Sequence, residues 1–295
     1  MVIATGFFDG VHLGHRFILR QLVEEAHRRD DESMVVTFWP HPRNVLQDDA
    51  RNLRLLTSMD EKKALLKSIG VDRVEVIPFT KEFCRQTTEE YLRDYIIGRL
   101  SGKAVLVGYD NRIGSDRCTP EQTAAIARHL GLDVLTPVSC ADANGVVISS
   151  TKIRNLLSAG DIAGANAMLG YEYQLYGVVV SGNRLGHTIG FPTANMQLYE
   201  PLKLIPGNGV YLVRVETLGK MWYGMCNIGV RPTLGSGNAR TIETNIFGFD
   251  EDIYGLDMRI SFISKIRDEV KFNDFSLLAA QLEKDRAHCL EVLKK

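Results

Sequence analysis

GFFDGVHLGH, Gly6 to His15, follows directly on a short apolar run, Val2 to Thr5, and puts two histidines three residues apart at the mouth of a helix. A strand that passes through a glycine-rich turn into a helix builds an anion site from three sources. Gly6, Gly10 and Gly14 let backbone approach an anion closely. The helix, read as starting near His15, aims unpaired N–H groups and the positive end of its dipole at the same point. His12 and His15 add donors whose bonds strengthen as charge moves onto a leaving phosphate. Taken alone, the pair has two plainer readings: surface histidines at a helix start, or part of a metal site whose third ligand the nearby sequence does not supply.

Around this stretch strand and helix signals alternate. Met34–Phe38, Val74–Ile77, Lys103–Val107 and Val134–Val138 read as strands. Between them lie three helix starts with capping boxes or their equivalents, at Ser58–Glu61, Thr87–Glu90 and Thr119–Gln122, the last with Pro120 at the first helical position. Gly70 is the stop of the first of these helices, and Tyr91, Tyr95 and Ile96 share a face of the second. Repeated β-then-α units predict a parallel sheet with right-handed crossovers. Ligands then bind beyond the carboxyl ends of the strands, where GFFDGVHLGH lies.

The pattern changes between Met168 and Tyr173. Short β-rich runs follow at Leu175–Val180, Val210–Val215, Trp222–Asn227, Thr241–Phe247 and Met258–Ile263, separated by Gly, Pro and Asn. These predict a small antiparallel barrel. A helix over Ser276–Leu293 closes the chain, with Leu277, Leu278, Leu282, Leu290 and Leu293 as its expected core residues. The division expected is 1–168 and 169–295.

Bulk properties exclude several classes. The chain has 295 residues, 45% hydrophobic and 24% charged, with a net charge of −1 and no block of basic residues. A sequence-independent nucleic-acid binder, which must neutralise many phosphates, is not expected. No apolar run is long enough to span a bilayer. Met1 leads straight into the first strand, so no signal peptide is expected. Five scattered cysteines, Cys84, Cys118, Cys140, Cys226 and Cys289, without any CxxC, read as reduced thiols of a cytoplasmic protein. Neither GxxxxGK[ST] nor a helix-opening GxGxxG occurs, so any use of ATP proceeds without a Walker motif.

GFFDGVHLGH resembles the HxGH signature of the nucleotidyltransferase superfamily, and ISSTKIR (Ile148–Arg154) resembles that superfamily's second motif. Further matches run along the chain: TFWPHPR (Thr37–Arg43), VGYDNRIG (Val107–Gly114), GFPTAN (Gly190–Asn195), NIGVRPTLG (Asn227–Gly235), IETNIFGFDEDIYG (Ile242–Gly255) and IRDEVKF (Ile266–Phe272). Collinear over essentially the whole chain, they are similar to the prokaryotic bifunctional riboflavin kinase/FMN adenylyltransferase family, also called FAD synthetases. The resemblance implies a Rossmann-like nucleotidyltransferase domain with a parallel sheet, followed by a riboflavin kinase-like barrel with a terminal helix. It implies two reactions: riboflavin and ATP give FMN and ADP in the barrel, and FMN and a second ATP give FAD and pyrophosphate in the α/β domain, both with Mg²⁺.

Site residues follow from the same resemblance. In the α/β domain, His12, His15 and Arg154 are the catalytic set. Gly6, Phe7, Asp9, Gly10, Gly14, Ser150, Thr151 and Lys152 bind ATP or its phosphates, and Asp110 and His41 face flavin. Phe7 and Phe8 divide as one core residue and one pocket wall; Asp9 touches metal or caps its loop. In the barrel, Glu243 is the catalytic base, read as facing inward between Ile242 and Ile246, where loss of water raises its basicity. Thr193 and Asn195 hold Mg²⁺ with ATP, Gly182, Gly190 and Pro192 line the nucleotide, and Arg267 closes over ligand. The residues alone also allow a solvent-facing Glu243, a simple turn at Pro192–Asn195 and an exposed Arg267.

Several positions depart from the family pattern. His187 stands where many relatives carry arginine, Asn245 replaces the usual histidine, Trp39 replaces an acidic residue, and Ser115–Cys118 lacks the usual glycines. They leave open an alternative in which only the adenylyltransferase half turns over and the barrel binds flavin without catalysis. A storage or sensing module and a cytidylyltransferase-like relative are the remaining alternatives. Oligomeric state is not legible.

Overall fold

The computed structural model describes residues 1–41, 53–108, 112–138, 148–182, 190–231, 239–270, 272 and 274–294. Asp110, Cys140, His187, most of the Ser181–Gly190 stretch and parts of TFWPHPR and NIGVRPTLG lie outside them. The chain divides into two compact units, Met1–Ser150 and Thr151–Lys295.

The first unit is built on a five-stranded parallel sheet. Strands β1 (Val2–Thr5), β2 (Ser33–Trp39), β3 (Arg73–Pro78), β4 (Ala104–Leu106) and β5 (Asp133–Leu135) lie in the order β3-β2-β1-β4-β5. The order reverses between β1 and β4, so the crevice beyond their carboxyl ends is where such a sheet binds ligands. Alternate residues serve opposite faces, as the pleat demands. Val2 and Ala4 pack with Val11, Leu19, Leu22 and Leu66 on one side. Ile3, Val36 and Val105 pack with Tyr91, Leu92 and Ile96 on the other.

Helices α1 (Leu13–Arg28), α2 (Met59–Ile69), α3 (Thr88–Glu90, continuing as a wider π-helical stretch Tyr91–Arg99) and α4 (Pro120–His129) cover the two faces. Their starts are set locally. Ser58, Thr87 and Thr119 each accept from the backbone N–H three residues on, and each capping box is closed by Glu61, Glu90 or Gln122. Gly70 ends α2 at φ 103°, a left-handed position that costs glycine nothing.

Two expectations shift. Helix α1 begins at Leu13, not near His15, because the His12 ring is the N-cap: its Nδ1 accepts from His15 N–H at 3.3 Å. Strand β5 ends at Leu135 rather than Val138, which is 69% exposed, since β4, on which it pairs, has ended by Leu106.

The second unit opens with helices α5 (Ser150–Ala159, whose first residue belongs to the first unit) and α6 (Ile162–Leu169). A closed barrel follows: β6 (Gln174–Val180), β7 (Ala194–Leu198), β8 (Gly209–Thr217), β9 (Lys220–Arg231), β10 (Ala239–Ile246) and β11 (Asp257–Arg267), in the order β10-β7-β6-β11-β8-β9. Every pair is antiparallel. Strand β7 had no strand signal in the sequence; Ala194 and Asn195 sit in it, paired with Thr244 and Glu243.

Helix α7 (Phe275–Val292) packs on the barrel's outer wall, with Cys289 buried against Phe191, Val210, Leu212 and Met225, and with Leu282, Val292 and Leu293 alongside. Leu277 and Leu290, expected in the core, are 59% and 41% exposed. Residues 282, 285, 289 and 292–293 make the inward stripe at helical spacing, which turns positions 277 and 290 away.

Candidate active sites

In the first unit, the turn after β1 is forced into unusual backbone. Phe8 and Val11 take positive φ (49° and 38°), and Gly10 takes 80°. Such strain persists only where surroundings over-determine it, and three groups do so here. The Asp9 carboxylate, 3% exposed, accepts from Leu56 N–H, Thr57 N–H and the Thr57 hydroxyl at 3.0–3.1 Å. The Asp9 carbonyl accepts from Ser150 Oγ at 2.9 Å, and Gly10 N–H donates to Thr57 Oγ1 at 3.2 Å. Of the two readings open for Asp9, these bonds match the loop cap.

The third group is Lys62, which sequence reasoning did not single out. Its side chain is 1% exposed; Nζ donates to the Phe7 carbonyl at 2.7 Å and sits 3.7 Å from the Phe7 ring centre. Burial lowers its pKa to about 8, against the pull of the Asp9 carboxylate, which favours the charged form. Thr37 Oγ1 donates to the same carbonyl at 3.2 Å, and His41 meets the Phe7 ring edge-on at 3.8 Å. Phe8 packs against the core of the sheet's first face and stands edge-on to His15. The sole sequence signal for Lys62 is its position on the α2 face shared with buried Leu66, where a lysine must find a partner.

His12 is 4% exposed and stacks on His15, ring centres 3.6 Å apart. Because His12 Nδ1 accepts, a neutral ring carries its proton on Nε2 and can donate there. Burial, then the charges of His12 and Lys62, hold the His15 pKa well below 6.5. His15 Nδ1 is buried without a hydrogen-bond partner among the described residues. A Cβ on Gly14 would press on the His12 ring at 3.3 Å, so this position keeps the pair's approach open. The Leu13 and Gly14 N–H groups have no acceptor within the helix. The structure thus gathers Gly6, Phe7, Asp9, Gly10, His12, Gly14, His15, His41 and Ser150 around one turn. Thr151, Lys152 and Arg154 follow Ser150 on α5 and belong to the second unit.

The His15 shift has a consequence for stability. Its folded pKa is depressed, so below pH 6.5 the unfolded chain takes up a proton that the folded chain refuses. Stability is therefore whole above pH 6.5 and falls as pH drops through the window beneath it. Thermal melts from about pH 7.5 to about pH 5 are expected to show a decline that is shallower in His15→Gln.

The barrel site depends on strand register. Paired residues run laterally across five strands: Arg267 with Val210, Val210 with Asn227, Asn227 with Glu243, and Glu243 with Asn195. Adjacent strands are about 4.8 Å apart, so Asn195 and Glu243 are immediate neighbours and Asn227 stands between Glu243 and the Arg267 side. Asn227 is the residue the sequence reading passed over within NIGVRPTLG.

Glu243 does not face inward. On β10 the buried Ile242 and Thr244 line the barrel interior, and Glu243 alternates with them. It shares the face of Asn245, whose cross-strand partner Met225 packs with Cys289 of α7. The carboxylate therefore sits on the outer wall, the side that the terminal helix covers. Asn245, 9% exposed, donates from Nδ2 to the Pro192 carbonyl at 2.7 Å.

A cavity of about 400 Å³ opens beside this row, lined by Gly182, Pro192, Thr193, Ala194, Asn195, Thr244, Ile246 and the loop Phe249–Tyr254. Asn195 belongs both to this lining and to the Glu243 row. A Cβ on Gly182 would collide with the Asn195 amide, and Gly190 sits at φ 80° with open space beside it. Arg267 is engaged from below. Its Nε and terminal nitrogen bond Asp285, which is 3% exposed on α7, at 2.9–3.1 Å, and Gln281 donates to the same carboxylate at 2.8 Å. This pair ties α7 to the end of β11.

For Mg²⁺, the donors fit a hard cation: neutral oxygens of Thr193 and Asn195, with Asp250, Glu251 and Asp252 on the same cavity wall. Among the described residues no group of three His, Cys, Asp or Glu side chains is placed to hold a metal. Such a site relies on substrate phosphates for part of its ligand set.

Two family models match the chain: FAD synthetase over residues 1–152 and riboflavin kinase over residues 169–293. The bifunctional riboflavin kinase/FMN adenylyltransferase of Listeria monocytogenes is 36% identical over 96% of this chain and 90% of its own length. That of Bacillus subtilis is 33% identical over 98% and 91%. A crystal structure described as a macrolide-efflux protein from Streptococcus pneumoniae superposes with a TM-score of 0.87 at 31% identity, over 97% of this chain and 92% of that one. The chain belongs to the bifunctional riboflavin kinase/FMN adenylyltransferase family. Among the described residues no helix is long and apolar enough to cross a membrane.

Proposed function

We propose that this chain makes FAD from riboflavin in two steps, with the kinase part taken as residues 169–295 and the adenylyltransferase part as 1–168. The observation that carries this is the coexistence of the strained turn with its stacked imidazoles in one unit and the Asn195–Glu243 row in the other.

In the kinase step Glu243 takes the proton from the 5′-hydroxyl of riboflavin. The hydroxyl oxygen bonds the γ-phosphorus of ATP, and the bond to the bridging β–γ oxygen breaks, releasing ADP. Thr193 and Asn195 hold Mg²⁺, which when bound neutralises charge on the triphosphate. Gly182, Gly190 and Pro192 let the nucleotide approach the backbone. Arg267, held by Asp285, presents its remaining donors to the flavin side.

In the adenylyltransferase step a phosphate oxygen of FMN bonds the α-phosphorus of a second ATP, and pyrophosphate leaves. Little covalent chemistry falls to the protein, so positioning and charge neutralisation dominate. His12 and His15 donate to the oxygens around the α-phosphorus, and the turn Gly6–Gly14 cradles the triphosphate. By the family resemblance, Lys152 and Arg154 are assigned to its β- and γ-phosphates, with Ser150 and Thr151 donating at the start of their helix, and His41 and Asp110 are assigned to flavin binding. Asp9 and Lys62 keep the turn in its strained shape.

Lys62 yields a separable prediction. In Lys62→Met the Phe7 carbonyl keeps Thr37 as partner, and the cost of burying a charge disappears. FMN adenylylation is expected to fall by up to about 10², the order of a 1 Å misplacement at a reacting centre, while the thermal midpoint does not fall. A midpoint several degrees lower, with activity intact, would contradict this.

The scattered cysteines without CxxC and the charge balance support a cytoplasmic enzyme of small molecules, with no nucleic-acid or membrane partner expected. The deciding assay supplies the purified chain with riboflavin, ATP and Mg²⁺ and separates flavins by chromatography. FMN should appear first and FAD after it. Absence of both sinks the proposal, and FAD from FMN alone would leave a single working half.

A further inference from the structure

We propose that Asn245 is a positioning residue of the kinase site, pinning the Pro192 carbonyl so that Thr193 and Asn195 are held against Glu243. This inference rests on the kinase reading above and names a residue that acts through others.

Three observations carry it. Asn245 lies two residues beyond Glu243 on β10, so both side chains leave the same outer face. Its Nδ2 donates to the Pro192 carbonyl at 2.7 Å from a site only 9% exposed. Phe191, next in the chain, is buried in the cluster with Met225, which is the cross-strand partner of Asn245. The segment entering β7 is therefore anchored twice over the same spot of the wall, once by an apolar ring and once by a directional bond.

The geometry explains why a second anchor is needed. Apolar contact is non-directional, so a buried phenyl ring does not by itself set the orientation of the peptide that follows it. A hydrogen bond to one carbonyl fixes the peptide's orientation, and with it where Thr193 begins. The Asn195–Glu243 and Ala194–Thr244 pairs hold only the strand beyond. Thr193 lies between the pin and that ladder, so its oxygen takes its place from both. A misplacement near 1 Å at a reacting centre can cost about 10² in rate.

The test uses the full chain in two variants. Asn245→Leu keeps volume and removes the donor; Asn245→His keeps a ring N–H able to reach the carbonyl. For each, riboflavin phosphorylation (kcat and KM for ATP), FAD formation from FMN, and backbone amide exchange over residues 190–195 are measured. In Asn245→Leu, kcat for phosphorylation is expected to drop roughly tenfold to a hundredfold, with KM for ATP changed less than about threefold. FAD formation from FMN stays intact, and exchange over 190–195 accelerates. Asn245→His should restore both rate and protection. Wild-type kcat and protection in Asn245→Leu would overturn the inference, as would equal impairment of the two variants. If the Leu variant does not fold, loss of protection and rate in Asn245→Ser with rescue by His decides in the same sense, and its absence against. Wild-type protein that phosphorylates no riboflavin would instead remove the kinase reading itself.

Discussion

Replacing His12 by asparagine, or His15 by alanine, is expected to stop FAD formation while FMN accumulates from riboflavin. The choice of asparagine matters. His12 caps α1 through Nδ1, and asparagine is among the best N-caps, whereas alanine costs about 1 kcal/mol there. The substitution thus keeps the helix start and removes the Nε2 donor. Loss of one preorganised donor to a developing negative charge typically slows chemistry by about 10²–10³. His15 contributes a ring held neutral by burial, with Nδ1 unpartnered among the described residues. A buried polar nitrogen left without a partner is costly unless a ligand completes it. Time courses from riboflavin should show FMN rising to a plateau, with FAD reduced by about two orders of magnitude or more. Kinase rates in the same preparations should match wild type, because Glu243 and its row belong to another unit. Equal loss of both activities would argue against two independent sites.

The converse is expected for Glu243→Gln. The amide keeps the size and one acceptor of the carboxylate but cannot take a proton. General-base assistance is worth about 10²–10⁴ in rate, so FMN formation should fall by that factor while added FMN is still converted to FAD. The outer-wall location sharpens this prediction. Were the carboxylate in the barrel interior, the amide that replaces it would sit among Ile242, Thr244 and Cys226 and disturb the core. On the outer face, between Asn195 and Asn227, the substitution leaves the interior untouched. The thermal midpoint should therefore stay close to wild type. A large loss of stability with the loss of rate would assign Glu243 a structural role instead.

Much of the first unit was readable residue by residue. The three capping boxes and the Gly70 stop appear where the local sequence placed them, because a cap is satisfied within four residues of itself. The His12 cap escaped notice because histidine is an unusual capping residue, and its role rests on a ring orientation set by packing on His15. Strand β7 was hidden for a related reason. Pro192, Thr193 and Asn195 carry turn chemistry, and only pairing with β10 and β6 makes the following residues a strand.

Most of the elements and their order, the two-part organisation and the family were written into the linear chain, since periodicity, caps and collinear motifs are properties of short stretches. Whatever depends on register and burial came from the folded molecule. Folding turned Glu243 to the outer wall, aligned Arg267, Asn227, Glu243 and Asn195 in one lateral row, and seated Lys62 beneath Phe7. It also gave Arg267 a buried partner, Asp285, eighteen residues away. Each of these is a meeting of residues distant in the chain, and a one-residue slip in pairing would place the same side chains on opposite faces.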